Sequence, residues 1–418
     1  MTFLQIKSSI CRNFCTSKGV FLIERKQRNS RGVHKEIILK KTAFLSFMLI
    51  LFASINAYTN EASESVNSFD DKLFESLYTQ DENVNYSALS IYSLLYALLQ
   101  GSNNQTNEQI KDLIACTPSE DFNAQIKELI TGTENMSNSV WYKKTLKFKK
   151  DYKNFMDNFD FTAKPTDFTK GPAVRKEINS FISKKTNRLI ENFLSQDLPA
   201  STKLVLLNTL YFNQKWKNQF DKENTRNEPF FKTAGNSIDI PTMSKTAHYN
   251  YFEDKDFQMI ELEYNDSRYS MFIFLPKEIE YDFSKTNPKA LLQKFNSGSR
   301  SKNIWLKLPK FDLSSSYDLV PVLKALGMTD AFNPRTADLS KIFTKSADIY
   351  VDSAIHQVRI SVDEKETKAA AVTMFGLKAA AAMPDDPIIF KADHPFCYVI
   401  HDNQNGINLF TGIVRDPK

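Results

Sequence analysis

Partway along the chain the period of the apolar residues changes, and that change restricts the fold more than any other feature. Between residues 64 and 79, Val66, Phe69, Leu73, Phe74, Leu77 and Tyr78 recur at helical spacing, and a second helical pattern runs from Ile91 to Leu99. Further on, SMFIFLP (270–276), NIWLKLPKF (303–311) and QVRISVDE (357–364) read as strands, and two short apolar strands follow at 396–400 and 409–414. Helices early and strands late, without regular alternation, predict an α+β protein. No internal repeat and no Pro/Gly/Ser-rich linker interrupts residues 60–418. With 42% hydrophobic residues in 418, the chain is expected to bury one large core in one domain.

The formal charge of +5 does not describe the body of the protein. Residues 1–57 hold ten Lys or Arg against two acids, which leaves 44 bases against 47 acids, or −3, for the rest. A body without a global positive field is not expected to bind nucleic acid. The basic leader ends in Lys40 and Lys41 and an apolar stretch, Ala43 to Ala57. A membrane span needs about 20 apolar residues, so this stretch reads as the core of a signal peptide cleaved near Ala57. The expected product is residues 58–418, secreted and extracellular, without a membrane anchor. A mitochondrial address, or a start further downstream, are the other readings of so long a basic segment. Sequons at Asn104, Asn135 and Asn265 fit a secreted glycoprotein, whereas the one at Asn85 sits against core sequence.

Charge clusters and cysteines add little chemistry. Six lysines crowd residues 143–153 around Trp141, Tyr142 and Phe148. A solvated face is preferred there over a polyanion or glycosaminoglycan site, because lysine-rich surfaces are common. Cys116 and Cys397 lie far apart without metal-type spacing and read as isolated buried thiols. There is no GxSxG elbow, HExxH pair or Walker loop, and the chain has only 11 glycines for phosphate-cradling loops. His394 and His401 flank an apolar strand with no nucleophile at motif-like spacing, and read as structural. No enzyme activity, metal or cofactor is expected.

The segment from Asp363 to Pro387 is different: DEKETKAAAVTMFGLKAAAAMPDDP. Alternate residues from Thr367 give Thr367, Ala369, Ala371, Thr373, Phe375 and Leu377 on one face, with Lys368 and Lys378 on the other. A face so small and apolar can enter a packed sheet as a new strand, with both lysines sent outward. The same residues also suit an alanine-rich helix, and both readings stand on the segment alone.

An ordered series of motifs over residues 62–417 is similar to the serpin family. NVNYSALSI (83–91) resembles that family's entry to a core helix, followed by LLQGSNNQTNEQI (98–110), EINSFISKKTNRLI (177–190) and LLNTLYFNQKWKNQF (206–220). LPKFDLSSSYDL, LGMTDAF, ADLSKIF, IHQVRISVDEKET, FKADHPFCYVI and NLFTGIV continue it in order. The resemblance implies a serpin fold: a large antiparallel sheet A, smaller sheets B and C, about nine helices and an exposed reactive-centre loop at about 364–387. It implies a monomeric suicide-substrate inhibitor of a serine protease, whose cleaved loop inserts into sheet A and traps the acyl-enzyme.

With Glu364 in the hinge glutamate's place, the family's spacing puts the reactive bond between Ala380 and Ala381. Alanine suits an elastase-like or subtilisin-like protease; Lys378 would instead suit a trypsin-like one, and Met383 is a further candidate. The hinge then comprises Glu364, Glu366, Thr367, Ala369, Ala370 and Ala371. Glu366 replaces a usual glycine, Lys368 a common acid, and Ile413 and Gln214 the family's usual arginine and glycine. Glu366 supports the alternative of a non-inhibitory carrier, chaperone or storage serpin, because glutamate adds a Cβ and a charge where the backbone must turn sharply. Ser87, Ser90, Asn208 and His356 match a polar shutter beneath the opening of the sheet; as isolated residues they also suit capping and turns.

Overall fold

Eight α-helices and fourteen β-strands are formed by residues 60–344, 348–364 and 386–418, the part of the chain that the computed structural model describes. All lie in one unit, Asn60–Lys418. The leader with its apolar stretch lies outside the described residues, as do Glu366, Thr367, Ala369, Ala370, Ala371, Lys378, Ala380, Ala381 and Met383. The helices are α1 (Glu61–Leu77), α2 (Ala88–Gly101), α3 (Asn104–Leu113), α4 (Glu120–Thr131), α5 (Lys150–Asn158), α6 (Gly171–Lys185), α7 (Pro288–Gly298) and α8 (Leu319–Ala325). The strands are β1 (Val84–Tyr86), β2 (Met136–Lys143), β3 (Thr162–Thr166), β4 (Leu204–Phe212), β5 (Arg226–Thr233), β6 (Asn236–Glu253) and β7 (Phe257–Glu263). They continue as β8 (Tyr269–Pro276), β9 (Arg300–Pro309), β10 (Phe311–Asp318), β11 (Ser353–Val362), β12 (Ile388–Lys391), β13 (Phe396–Asp402) and β14 (Ile407–Val414).

The helical periods of the sequence become α1 and α2. Asn60 caps α1 by accepting from the Ser63 amide, Glu61 and Glu64 sit in its first turn, and Val66, Phe69, Leu73, Phe74 and Leu77 are buried. Each such apolar side chain contributes about 2 kcal/mol over exposure. Helix α2 starts at the Ser87 cap and is buried on nearly every side, which marks it as the central helix. One buried charge ties α1 to the strands. Asp70 accepts from the Tyr86 hydroxyl at 2.7 Å, from Asn408 Nδ2 at 3.0 Å and from the Thr411 hydroxyl at 3.2 Å. Burial raises its carboxyl to about 6 despite those donors.

Two sheets form, and each departs from the expected description. A five-stranded sheet runs β10-β11-β4-β2-β3. Its pairings alternate: antiparallel β10 with β11, parallel β11 with β4, antiparallel β4 with β2, parallel β2 with β3. The sheet expected to be antiparallel is therefore mixed, because neighbours such as β4 and β11 are joined by long crossovers rather than hairpins. The expected separate smaller sheets are one nine-stranded sheet, β1-β14-β13-β8-β7-β6-β9-β12 with β5 on β6. Strand β6 unites them: over its 18 residues it pairs first with β5, through residues 236–242, then with β9, through 242–251, and at its end with β7, through 251–253.

Strand β4 is buried along its whole length, with Leu204, Leu206 and Leu210 in the main core and Val205 and Leu207 in a second cluster. Helix α6 closes that second cluster, where Ile178 and Ile182 pack with Trp141. Ile413 is fully buried in β14 between Val84 and Cys397, so an arginine there would have no water to reach. Cys116 and Cys397 are free and buried, as expected of isolated thiols.

Candidate functional site

The candidate site is the seam between β4 and β11. These strands pair in parallel over eight residues, from Val205 with Ser353 to Phe212 with Ile360. Strand β11 buries every second residue, Ala354, His356, Val358, Ile360 and Val362, beneath the sheet. The chain leaves β11 at Val362, and Glu364 is the last described residue before the small-residue segment. Geometry then fixes what the seam can accept. A strand that leaves the end of β11 and folds back runs antiparallel to β11, and antiparallel to β4 as well, because those two are parallel. Inserting it replaces one parallel pairing with two antiparallel ones, which are slightly more stable per residue and add a second ladder.

Polar groups hold the middle of the seam. His356 pairs with Asn208 in the parallel register, and its Nδ1 lies 2.8 Å from Asn208 Oδ1. The Ser87 amide donates to His356 Nε2 at 3.2 Å, so Nε2 carries the lone pair and Nδ1 the proton, donated to Asn208. Ser87 Oγ in turn accepts from the Ser90 amide as the cap of α2. The structure therefore brings Ser87, Asn208 and His356 into one chain of hydrogen bonds, with Ser90 joined through its backbone; the Ser90 hydroxyl itself is buried without a partner among the described residues.

Two members were missed in the sequence. Asn138 Oδ1 accepts from Asn208 Nδ2 at 2.7 Å and from the Ser93 hydroxyl at 2.9 Å, which carries the network on to β2 and along α2. The available signal was an asparagine directly before the Ser-Val-Trp run, whose three residues are buried in β2.

Burial pushes the His356 imidazole down to about 3, so it is neutral in the folded protein. The unfolded chain takes up a proton below about 6.5 that the native state refuses until about 3. This histidine therefore removes stability as pH falls through that window, by about 1.4 kcal/mol per pH unit. Asp70, raised to about 6, acts oppositely: the native state binds its proton first, so acidification from 6 toward 4 adds stability. We expect wild type minus His356→Asn, taken from the first urea transition, to decline by about 1.4 kcal/mol per pH unit between pH 6.5 and 4. Parallel pH profiles for the two proteins would show that the imidazole is not held neutral.

Past the end of β11 lies an ion pair whose carboxylate is buried and whose ammonium is half-buried. Glu364 is 3% exposed, accepts from Lys310 Nζ at 2.6 Å and from the Thr225 hydroxyl at 2.6 Å. Burial alone would raise its carboxyl, but the ammonium and the hydroxyl outweigh burial and hold it below the ordinary range. Next to it, Trp216 donates its indole N–H to the Asp363 carbonyl at 2.9 Å and stacks on Tyr264 with ring centroids 4.4 Å apart. Of the residues expected in the hinge, Glu364 is thus the one the described structure places, and it is fixed rather than free.

The remaining groups are placed plainly. Gln214 is half-buried and donates to Glu134. The lysines of 143–153 are all exposed, two of them paired with Asp167 and Asp157, as a solvated face requires. Asn104 and Asn265 are exposed, whereas Asn85 is fully buried and accepts from the Tyr398 hydroxyl. His394 lies between Asp393 and the Pro276 carbonyl, and His401 against Asn408, with no nucleophile among the described residues hydrogen-bonded to either. Among the described residues no group of three or more His, Cys, Asp or Glu is placed to hold a metal ion, and no helix is long and apolar enough to cross a membrane.

Comparison with known proteins agrees with this architecture. The family model described as Serpin (serine protease inhibitor) matches residues 64–417. A serpin-like protein of Thermococcus kodakarensis is 32% identical over 368 residues, covering 85% of each chain. Human Serpin B13 is 30% identical over 81% of this chain and 95% of its own, and the horse leukocyte elastase inhibitor 30% identical over 85% of this chain and 100% of its own. Among solved structures, native protease nexin-1 crystallised with heparin superposes with a TM-score of 0.75 at 25% identity, covering 85% of this chain and 98% of that one.

Proposed function

The chain belongs to the serpin family, described as serine protease inhibitors and not as enzymes, many of whose members are inhibitory, and from that premise we propose that it is a secreted suicide-substrate inhibitor of a serine endopeptidase. The observation that supports this reading is the parallel β4–β11 seam, with the small-residue sequence following directly on β11 in the chain. The protease serine attacks the Ala380 carbonyl, the bond to Ala381 breaks, and the amine of Ala381 leaves, which gives an ester between the two proteins. The freed segment then enters the seam. Fourteen residues from Thr367 to Ala380 make a strand of about 45 Å, comparable to the width of a domain, so the attached protease is carried far from where it docked.

Alanine on the acyl side favours an elastase-like or subtilisin-like target, with cleavage after Ala381, Lys378 or Met383 as the other registers. The inserted strand gains two ladders and buries its small face, and that gain drives the displacement. The protein expressed from the full chain is expected to give an SDS-stable covalent band with at least one member of an elastase-like, subtilisin-like and trypsin-like panel. Mass spectrometry of the released C-terminal peptide then fixes the bond. Cleavage between 378 and 383 across the whole panel without any covalent band would instead make this the non-inhibitory carrier, chaperone or storage serpin that Glu366 suggests.

A further inference from the structure

Among the described residues only two large apolar side chains stand exposed, Trp305 at 37% and Ile389 at 54%, and they are neighbours. Ile389 of β12 is the register partner of Trp305 of β9, which in turn faces Thr246 of β6, so the three form one row across the sheet. Single exposed apolar residues are ordinary, but two in contact register at the edge of a sheet are not scattered. The indole is also fixed in place. Its N–H donates to the Ser244 hydroxyl at 2.9 Å and the Lys307 ammonium lies 4.9 Å from its ring, so little side-chain freedom remains to be lost on docking.

The surroundings are cationic. Beside the indole is an open cavity of about 390 Å³ whose lining includes Arg226, Lys245 and Lys307, against the single acid Glu228. Glu228 is already paired with Lys307 at 2.6 Å, and on the β12 side Lys391 is paired with Asp393 at 2.9 Å. Lys245 reaches the Gln219 carbonyl and Arg226 the Thr225 carbonyl, so among the described residues these two positive charges are left without a carboxylate. The matching surface therefore carries an apolar side chain with acids beside it.

We propose that this Trp305–Ile389 row is a secondary docking surface for the protease that cleaves the reactive loop, contacting it outside its catalytic cleft. The proposal rests on the inhibitory reading above. Chain length supports that occupant over any other: Ile389 follows Ala381 by eight residues, which span at most about 29 Å. A protease of ordinary size, about 45 Å across, has the reach to cover the patch while it holds the bond. The row supplies affinity and selectivity that alanine in a shallow pocket does not, since a buried tryptophan at the centre of an interface is a common hot spot.

The test uses the same protease panel, each protease with its nucleophilic serine changed to alanine, so that encounter is measured without acylation. For the tightest binder, Trp305→Ala with Ile389→Ala is expected to weaken Kd by about 10- to 100-fold. Thr246→Glu, an exposed change in the same row that repels an acidic surface, is expected to weaken it about 10-fold and decides the matter if the double variant melts early. Equal Kd within twofold for wild type and Thr246→Glu across the panel overturns the proposal, as does a wild type that binds none of the proteases. A dimer that dissociates in the variants would reassign the row to a second copy of the chain and overturns it too. Covalent complexes with undiminished rates in both variants would keep inhibition and remove the docking surface. Trp305-dependent binding with no covalent complex from active protease would keep the surface and remove inhibition.

Discussion

Thr367→Arg is expected to turn the protein from an inhibitor into a substrate. On the alternating pattern, Thr367 shares the small face with Ala369 and Ala371, and a strand entering the β4–β11 seam would set that face over Leu210, Val358 and Ile360, all fully buried. A guanidinium has no partner there, and placing it costs about 3 kcal/mol or more. A barrier raised by about 3 kcal/mol slows insertion about 150-fold, enough for water to release the acyl-enzyme first. The covalent band should fall from major product to trace while cleavage at the same bond continues. Cleaved wild type should gain heat resistance that the cleaved variant lacks. Lys368→Glu, on the outward face, should leave the covalent yield unchanged. An undiminished covalent band in Thr367→Arg would show that this residue does not enter the seam first, and the insertion reading would have to be abandoned.

Glu364→Lys is expected to loosen the same seam from its end. The substitution removes the carboxylate that Lys310 and Thr225 both reach at 2.6 Å and sets a second ammonium against Lys310. Breaking a fully buried pair typically costs 3–5 kcal/mol; Lys310 keeps 35% of its side-chain exposure, so about 2–4 kcal/mol is the expected loss. Trp216 reports it, because its indole is bound to the carbonyl of Asp363, the residue before Glu364. The first urea transition should move down and the Trp216 emission to the red, whereas Glu364→Gln, which keeps the Thr225 contact, should lose about 1 kcal/mol. Wild-type emission and midpoint in Glu364→Lys would mean that the ion pair does not close the seam.

How much of this was legible depends on how local the signal is. The α1 period, read as 64–79, became Glu61–Leu77, and the strand read as 357–364 became Ser353–Val362, each shifted by its capping and pairing partners. NIWLKLPKF was read as one strand but belongs to two, β9 and β10, which part at Lys310 between Pro309 and Phe311. The fourth side chain of the seam network, Asn138, was not found, because nothing within a few residues of it says that Asn208 and Ser93 will be its neighbours. Trp305 and Ile389 are separated by 84 positions and acquire meaning as a pair only through the β9–β12 register.

By itself the sequence determined which stretches are helix or strand, which face of each is apolar, and that an ordered set of motifs belongs with the serpins. Those properties are written in spacings of two to four residues, where side chains of one element share a face whatever surrounds it. Tertiary structure alone decided that β4 and β11 lie side by side and parallel, that β6 merges the smaller sheets into one, and that His356 is sealed from water. Strand neighbours are chosen by packing across the whole core, and a histidine's charge by the solvent it loses there, so neither quantity exists until the distant segments have met.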